Sequence, residues 1–192
     1  MTQLNRSILG MLLALGLVTA GTSAATAQDT EEETYSENEI LATAKGFFGM
    51  TTEGLAKAIE KVFADLGQPN AYITGEEVSG AIVIGVRYGE GTLNRKTGAA
   101  RKVYWQGPTI GFDFGADASK MFILIYHLPD TESLFQRFPA VDGSFYFFAG
   151  IGVNYQRSGD IVQAPIRTGV GLRAGVNVGY MHYTKEFSWI PL

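Results

Sequence analysis

Between residues 165 and 183 the chain reads PIRTGVGLRAGVNVGYMHY, and its residue types sort by alternate position. Val170, Leu172, Ala174, Val176, Val178 and Tyr180 form one set; Gly171, Arg173, Gly175, Asn177 and Gly179 form the other. A strand sends successive side chains to opposite faces, so this period of two predicts one long strand with an apolar face and a glycine-rich polar face. Glycine weakens a strand, so its repetition on one face calls for sharp coiling, bulges or close approach of backbones. A small, tightly curved barrel needs all three.

The remainder of the chain supports that architecture. Strands are expected at residues 81–88 (AIVIGVRY), 102–106 (KVYWQ), 110–115, 120–126 (KMFILIY) and 161–168, with turn signals at Gly89-Glu90-Gly91, Gly107-Pro108 and Ser158-Gly159-Asp160. The run at 120–126 is nearly all apolar and predicts a strand covered on both faces. Phe145, Phe147, Ala149, Ile151, Val153 and Tyr155 alternate with Tyr146, Phe148, Gly150, Gly152 and Asn154 and predict a further strand. Pro165 cannot donate to a ladder and marks an edge or a bulge. Residues 129–138 have room for two helical turns, with Leu134, Phe135 and Phe138 inward.

Two amphipathic helices precede the strands. Ser36 and Glu39 fit a capping box ahead of the stripe Ile40, Leu41, Ala44, Phe47 and Phe48, which Gly49 stops. Thr51 or Thr52 caps the second helix, whose stripe is Leu55, Ile59, Val62, Phe63 and Leu66 before Gly67-Gln68-Pro69. Neither can stand alone, so both must dock on the sheet. The expected fold is mainly β: a small, soluble antiparallel β-barrel with the two N-terminal amphipathic helices packed on it.

Residues 1–27 carry Arg6, an apolar run from Ile8 to Val18 and an Ala25-Thr26-Ala27 cleavage pattern, which together predict a secretory signal peptide. The run is shorter than the about 20 residues a membrane helix needs, so no transmembrane segment is expected after cleavage. Residues 28–35 form an acidic, flexible leader, and 36–192 form a single domain. Cleavage removes Arg6 and no acidic residue, so the formal charge moves from −4 to −5. Nothing there attracts nucleic acid. With no cysteine in the chain, disulfides, thiol catalysis and cysteine metal sites are excluded.

The catalytic candidates are sparse. His127 and His182 are the only histidines and lie in no HxH or HExxH spacing, so no metal site is expected. No cofactor motif is present: Gly150-Ile151-Gly152 and Gly169-Val170-Gly171 lack the following helix of a phosphate loop. Ser144, Ser158 and Ser188 have no nucleophile-elbow setting. Glu76 and Glu77 are adjacent and would point to opposite faces, leaving either one with Asp113 or Glu90 as a carboxylate pair. The more coherent set is Arg87, Asp113, Asn154, Arg167, Arg173 and Asn177, each on the polar face of its strand. If that face points inward, every arginine needs a paired carboxylate, which Asp113 and the glutamates could supply. Because burying the aliphatic and aromatic face is the larger gain, this candidate polar patch is expected on the outside of the barrel.

Four strings carry a family likeness: residues 68–77 (QPNAYITGEE), 87–93 (RYGEGTL), 102–115 (KVYWQGPTIGFDFG) and 165–180 (PIRTGVGLRAGVNVGY). From about residue 35 onward the chain resembles the periplasmic envelope-integrity protein EipA family of alphaproteobacteria. The resemblance implies a small periplasmic β-barrel needed for resistance to envelope stress and linked to virulence, with no catalytic residue to transfer. The expected function is therefore non-enzymatic: a Sec-exported periplasmic protein supporting envelope integrity. It would act by binding lipid, or an envelope protein, in an apolar groove between helices and barrel. The alternatives are an outer-membrane β-barrel and a cell-wall or glycan hydrolase.

Overall fold

The computed structural model describes residues 33–50, 52–168 and 179–188, with the side chains of 80–84 and 109–118 outside the description. The expected signal peptide, most of the leader and the strand from 169 to 178, with Arg173 and Asn177, lie outside the described residues.

Two helices come first, α1 (Glu37–Phe48) and α2 (Glu53–Leu66). The Ser36–Glu39 capping box forms as expected, and Gly49 ends α1 at φ 68°, a left-handed conformation that costs glycine nothing. Thr52 caps α2 by accepting the Leu55 N–H at 3.2 Å. Ahead of α1, the Tyr35 N–H donates to the Pro69 carbonyl at 2.8 Å and its ring meets Tyr72 edge-on, so the packed chain already includes Tyr35.

Six strands follow: β1 (Ala71–Arg95), β2 (Arg101–Tyr126), β3 (Arg137–Phe148), β4 (Ile151–Ser158), β5 (Ile161–Thr168) and β6 (Tyr180–Thr184). All pairings are antiparallel, in the order β1-β2-β5-β4-β3-β6 with β6 returning to β2. The long hairpin of β1 and β2 is in effect four strand segments, which brings the closed barrel to eight. The 71–79 half of β1 pairs with the C-terminal half of β2, the 81–93 half pairs with its N-terminal half, and the register shifts between Ser79 and Ala81. The C-terminal half of β2 also pairs with β5 and the N-terminal half with β6, which closes the ring.

Glycines expected to mark turns at 89–91 and 107–108 instead sit inside continuous strands. Their use is close approach. A Cβ on Gly91 would lie 2.6 Å from the Thr74 carbonyl oxygen and 3.0 Å from Gly75 Cα, so the two halves of β1 meet there backbone to backbone. A Cβ on Gly89 would fall within the indole of Trp105.

The barrel separates two apolar cores. Inside lie Ile73, Leu93, Val103, Trp105, Met121, Ile123, Ile125, Phe138 and Tyr183. Outside, Phe122, Leu124, Tyr126, Val153, Tyr155, Ala164 and Ile166 are covered by Ile40, Ala44, Leu55, Ala58, Ile59 and Val62 of the helices. Alternate residues of 121–126 supply both cores, so this strand is covered on both faces, as its composition implies.

Three local expectations are corrected. The alternating run from 145 to 155 is a hairpin: β3 ends at Phe148, β4 starts at Ile151, and Ala149 and Gly150 turn the chain with φ of 43° and 92°. Pro165 is not at an edge, because β5 lies between β2 and β4. The β4–β5 register instead passes from Gln156↔Gln163 to Val153↔Ile166, lapsing across Ala164 and the donor-less Pro165. Between β2 and β3 there is one 3-10 turn, Glu132–Leu134, in place of two helical turns, with Leu134 and Phe138 buried as expected.

Candidate functional site

Among the described side chains, the buried odd-numbered residues of β1, β2, β5 and β6 point into the barrel, and on β4 the even-numbered ones do, because the apolar odd residues of β4 face the helices. That parity gathers a polar group in the interior. Glu77 is 1 % exposed, Arg87 0 %, Asn154 6 %, and Gln156 and Gln163 0 %.

Glu77 is held on two sides. Its Oε2 accepts the Trp105 indole N–H at 2.8 Å, and its Oε1 lies 3.5 Å from Arg167 Nη1. Trp105 reaches this position by lying across Gly75 and Gly89, where any side chain would collide with its ring. Arg87 donates from Nη2 to the Tyr180 carbonyl at 3.0 Å. Gly107, its cross-strand partner, leaves room for that carbonyl, which a Cβ would strike. Beside them the Tyr183 hydroxyl donates to Gln163 Oε1 at 2.6 Å, and Gln163 Nε2 donates to Gln156 Oε1 at 2.5 Å.

These charges sense one another. Burial pushes the Arg87 guanidinium down to about 10, Glu77 counters that shift, and Arg167 adds to it. The Tyr183 hydroxyl is raised far above its ordinary value by burial first and by Glu77 second, while both arginines oppose the rise. Tyr183 therefore stays protonated and serves as a donor.

Of the six residues of the expected polar patch, Arg87 and Asn154 are buried, and Arg167 keeps 13 % side-chain exposure while pairing with Glu77. The outward orientation expected for them is overturned. The apolar face of β2, β4 and β5 is buried on the outside of the barrel beneath α1 and α2, so the interior is free to take the polar face. Asp113 occupies the register position opposite Ala81 on β2; its side chain, Arg173 and Asn177 lie outside the description. Where α1 and α2 meet the barrel, their buried side chains share one apolar cluster with those of β2, β4 and β5. Gln156, Gln163, Trp105 and Tyr183 were not singled out in the sequence, although all four share the inward parity of their strands.

Of the carboxylates weighed for hydrolysis, the three whose side chains are described do not converge. Glu76 is exposed, Glu77 is interior, and Glu90 is on the surface with Lys102 at 3.2 Å. His127, at a strand end with φ 55°, has its Nδ1 3.2 Å from the Asp160 carbonyl, and His182 packs beside Arg137, where burial and then that charge depress its basicity. Among the described residues no three metal-ligating side chains cluster.

No functionally curated protein matches the chain. A crystal structure of a β-barrel-like, uncharacterised protein from Brucella abortus superposes with a TM-score of 0.75 at 45 % identity, covering 83 % of this chain and 99 % of that one. The family model described as envelope integrity protein A matches residues 33–192, which takes in both helices and every strand of the barrel. The chain belongs to the envelope integrity protein A family.

Proposed function

We propose that this protein is an exported, non-enzymatic periplasmic factor that keeps the cell envelope intact under stress by binding a lipid or an envelope partner. The observation that carries the reading is the family match across residues 33–192. The signal-peptide pattern of residues 1–27 supports the compartment. The buried polar group inside the barrel supports a binding role: its one described carboxylate, Glu77, is engaged by Trp105 and Arg167.

An outer-membrane barrel has less support. Such a barrel presents an apolar band to lipid around its whole circumference, whereas here the outer apolar face of β2, β4 and β5 is covered by helices.

The reading is tested by deleting the gene and complementing with full-length protein or with a version lacking residues 2–27. Sensitivity to detergent and to outer-membrane chelation should rise on deletion and be restored by the full-length protein alone. Restoration by the leaderless version would overturn the periplasmic assignment. An unchanged deletion strain would overturn the envelope role.

A further inference from the structure

Among the described residues, the unbonded polar atoms inside the barrel are all nitrogens. Arg87 Nε and Nη1, Arg167 Nε and Nη2, Asn154 Nδ2 and Gln156 Nε2 are buried nitrogens without a hydrogen-bond partner. The neighbouring acceptors are engaged: Glu77 Oε2 by Trp105, Gln156 Oε1 by Gln163, Gln163 Oε1 by Tyr183, and the Tyr180 carbonyl by Arg87. Charge is as one-sided as hydrogen bonding, with two guanidiniums to one carboxylate among the described residues.

We propose that the barrel interior is an oxyanion receptor in which Arg87 and Arg167, assisted by the amides of Asn154 and Gln156, take a carboxylate or phosphate group. The proposal rests on the binding role put forward above and names the chemistry of the ligand. A buried donor left unpaired is costly, and buried unpaired cations are rarer still. Water would add as many donors as acceptors and so would not correct a surplus of one sign. An oxyanion brings acceptors alone, offers the paired oxygens that a guanidinium fork fits, and neutralises the excess charge.

The two arginines would play different parts. Arg87 is fully enclosed and fixed by the Tyr180 carbonyl, so it is a preset anchor at the closed end of the site. Arg167 retains 13 % exposure and, among the described residues, is held by a 3.5 Å contact to Glu77, so entry is from its end and an incoming anion competes with that carboxylate. Glu77 thus lowers affinity for an anion while compensating the guanidinium charge, an effect of unusual sign for a buried ion pair. Removing Glu77's charge should tighten binding of an anion, and removing Arg167's should weaken it.

The processed protein, refolded free of lipid, is titrated by calorimetry and by Trp fluorescence with inorganic phosphate, with oleate, and with oleyl alcohol as the neutral chain of the same length. The receptor predicts binding of phosphate or oleate and not of the alcohol. Arg167→Gln should weaken that binding about 10- to 100-fold, the weight of one or two hydrogen bonds to a charged group. Glu77→Gln should strengthen it. Phosphate binding assigns the site to a free small anion; binding of oleate alone assigns it to the head group of an anionic amphiphile. Arg167→Gln is chosen because the residue is partly exposed, and an unchanged far-UV CD spectrum shows that it folds. If oleate and oleyl alcohol bind equally and Arg167→Gln changes neither, the receptor is wrong while lipid binding stands. If none of the three probes binds, the receptor is wrong and the lipid reading loses its support as well.

Discussion

Replacing Glu77 by Gln probes the buried charge group while keeping its shape. The amide oxygen can still accept the Trp105 N–H bonded at 2.8 Å, so what is lost is the negative charge facing Arg167 at 3.5 Å and the field that supports Arg87. Breaking a buried ion pair by removing one partner costs about 3–5 kcal/mol. Arg167 keeps some contact with solvent, which places the expected loss near the lower end, about 3 kcal/mol. For a domain of this size that is a fall in Tm of roughly 6–12 °C. Glu77→Ala also strands the indole N–H and should cost about 1–3 kcal/mol more. Urea unfolding of the processed protein, followed by Trp fluorescence and far-UV CD, measures both. The double variant Glu77→Gln with Arg167→Gln supplies the critical comparison, because removing the stranded cation should return about 1–2 kcal/mol relative to the sum of the single losses. Glu77→Gln within about 0.5 kcal/mol of the parent, or strictly additive costs in the double variant, would refute the charge argument.

Other expectations concern packing and pH. Gly54→Ala should destabilise α2 even though alanine is the better helix former by about 1 kcal/mol, because the new Cβ would strike the Phe148 carbonyl; a rise in Tm would contradict the close approach. Gly89→Ala should cost about 1–3 kcal/mol by displacing the Trp105 ring, with most of that loss absent in a Trp105→Leu background, as a double-mutant cycle would read out. Ile59→Ala, at a fully buried position beneath the barrel wall, should cost about 2–5 kcal/mol in denaturant unfolding. The Glu39 carboxyl is held down to about 2 by the Lys96 ammonium first and by the Ser36 backbone N–H second. Its folded value lies below its ordinary one, so its contribution is present above the ordinary value of 4.5 and is lost as pH falls from there toward 2. Glu39→Gln should flatten that part of the stability–pH curve; an unchanged acid limb would refute the assignment.

Both helices were legible in the sequence to within a residue, since capping residues and a 3.6-residue stripe are local signals that packing did not override. The strand at 121–126 was legible because an unbroken apolar run has only one use in a sheet. The hairpin at Ala149-Gly150 was hidden by composition. Phe145, Tyr146, Phe147 and Phe148 are apolar on both faces, so alternation there carried no information, and alanine is a poor marker for a left-handed turn. Gly89 and Gly91 misled in the opposite sense: local sequence cannot distinguish a glycine that turns the chain from one that admits Trp105 or the other half of its own strand. At the candidate site, strand parity correctly grouped Arg87 with Asn154 and Arg167. Parity alone left the direction of the shared face open, and the burial argument that set it outward failed.

That last uncertainty is physical. A lone barrel in water has one dry side, its interior, and apolar residues belong there. Once α1 and α2 dock, the outer wall of β2, β4 and β5 becomes a second dry side, and each strand crossing it can bury both faces. Strands with wholly apolar sequence, such as 121–126, serve both cores; strands with one polar face, such as β4 and the C-terminal part of β5, give the apolar face to the helices and the polar face to the interior. The helices therefore do more than seal a barrel. By taking over part of the apolar burial, they permit charged and amide side chains inside a cylinder that would otherwise need a wholly apolar filling. Helix-side substitutions should consequently act on stability, and those at Arg87, Glu77 and Arg167 on what the interior can accept.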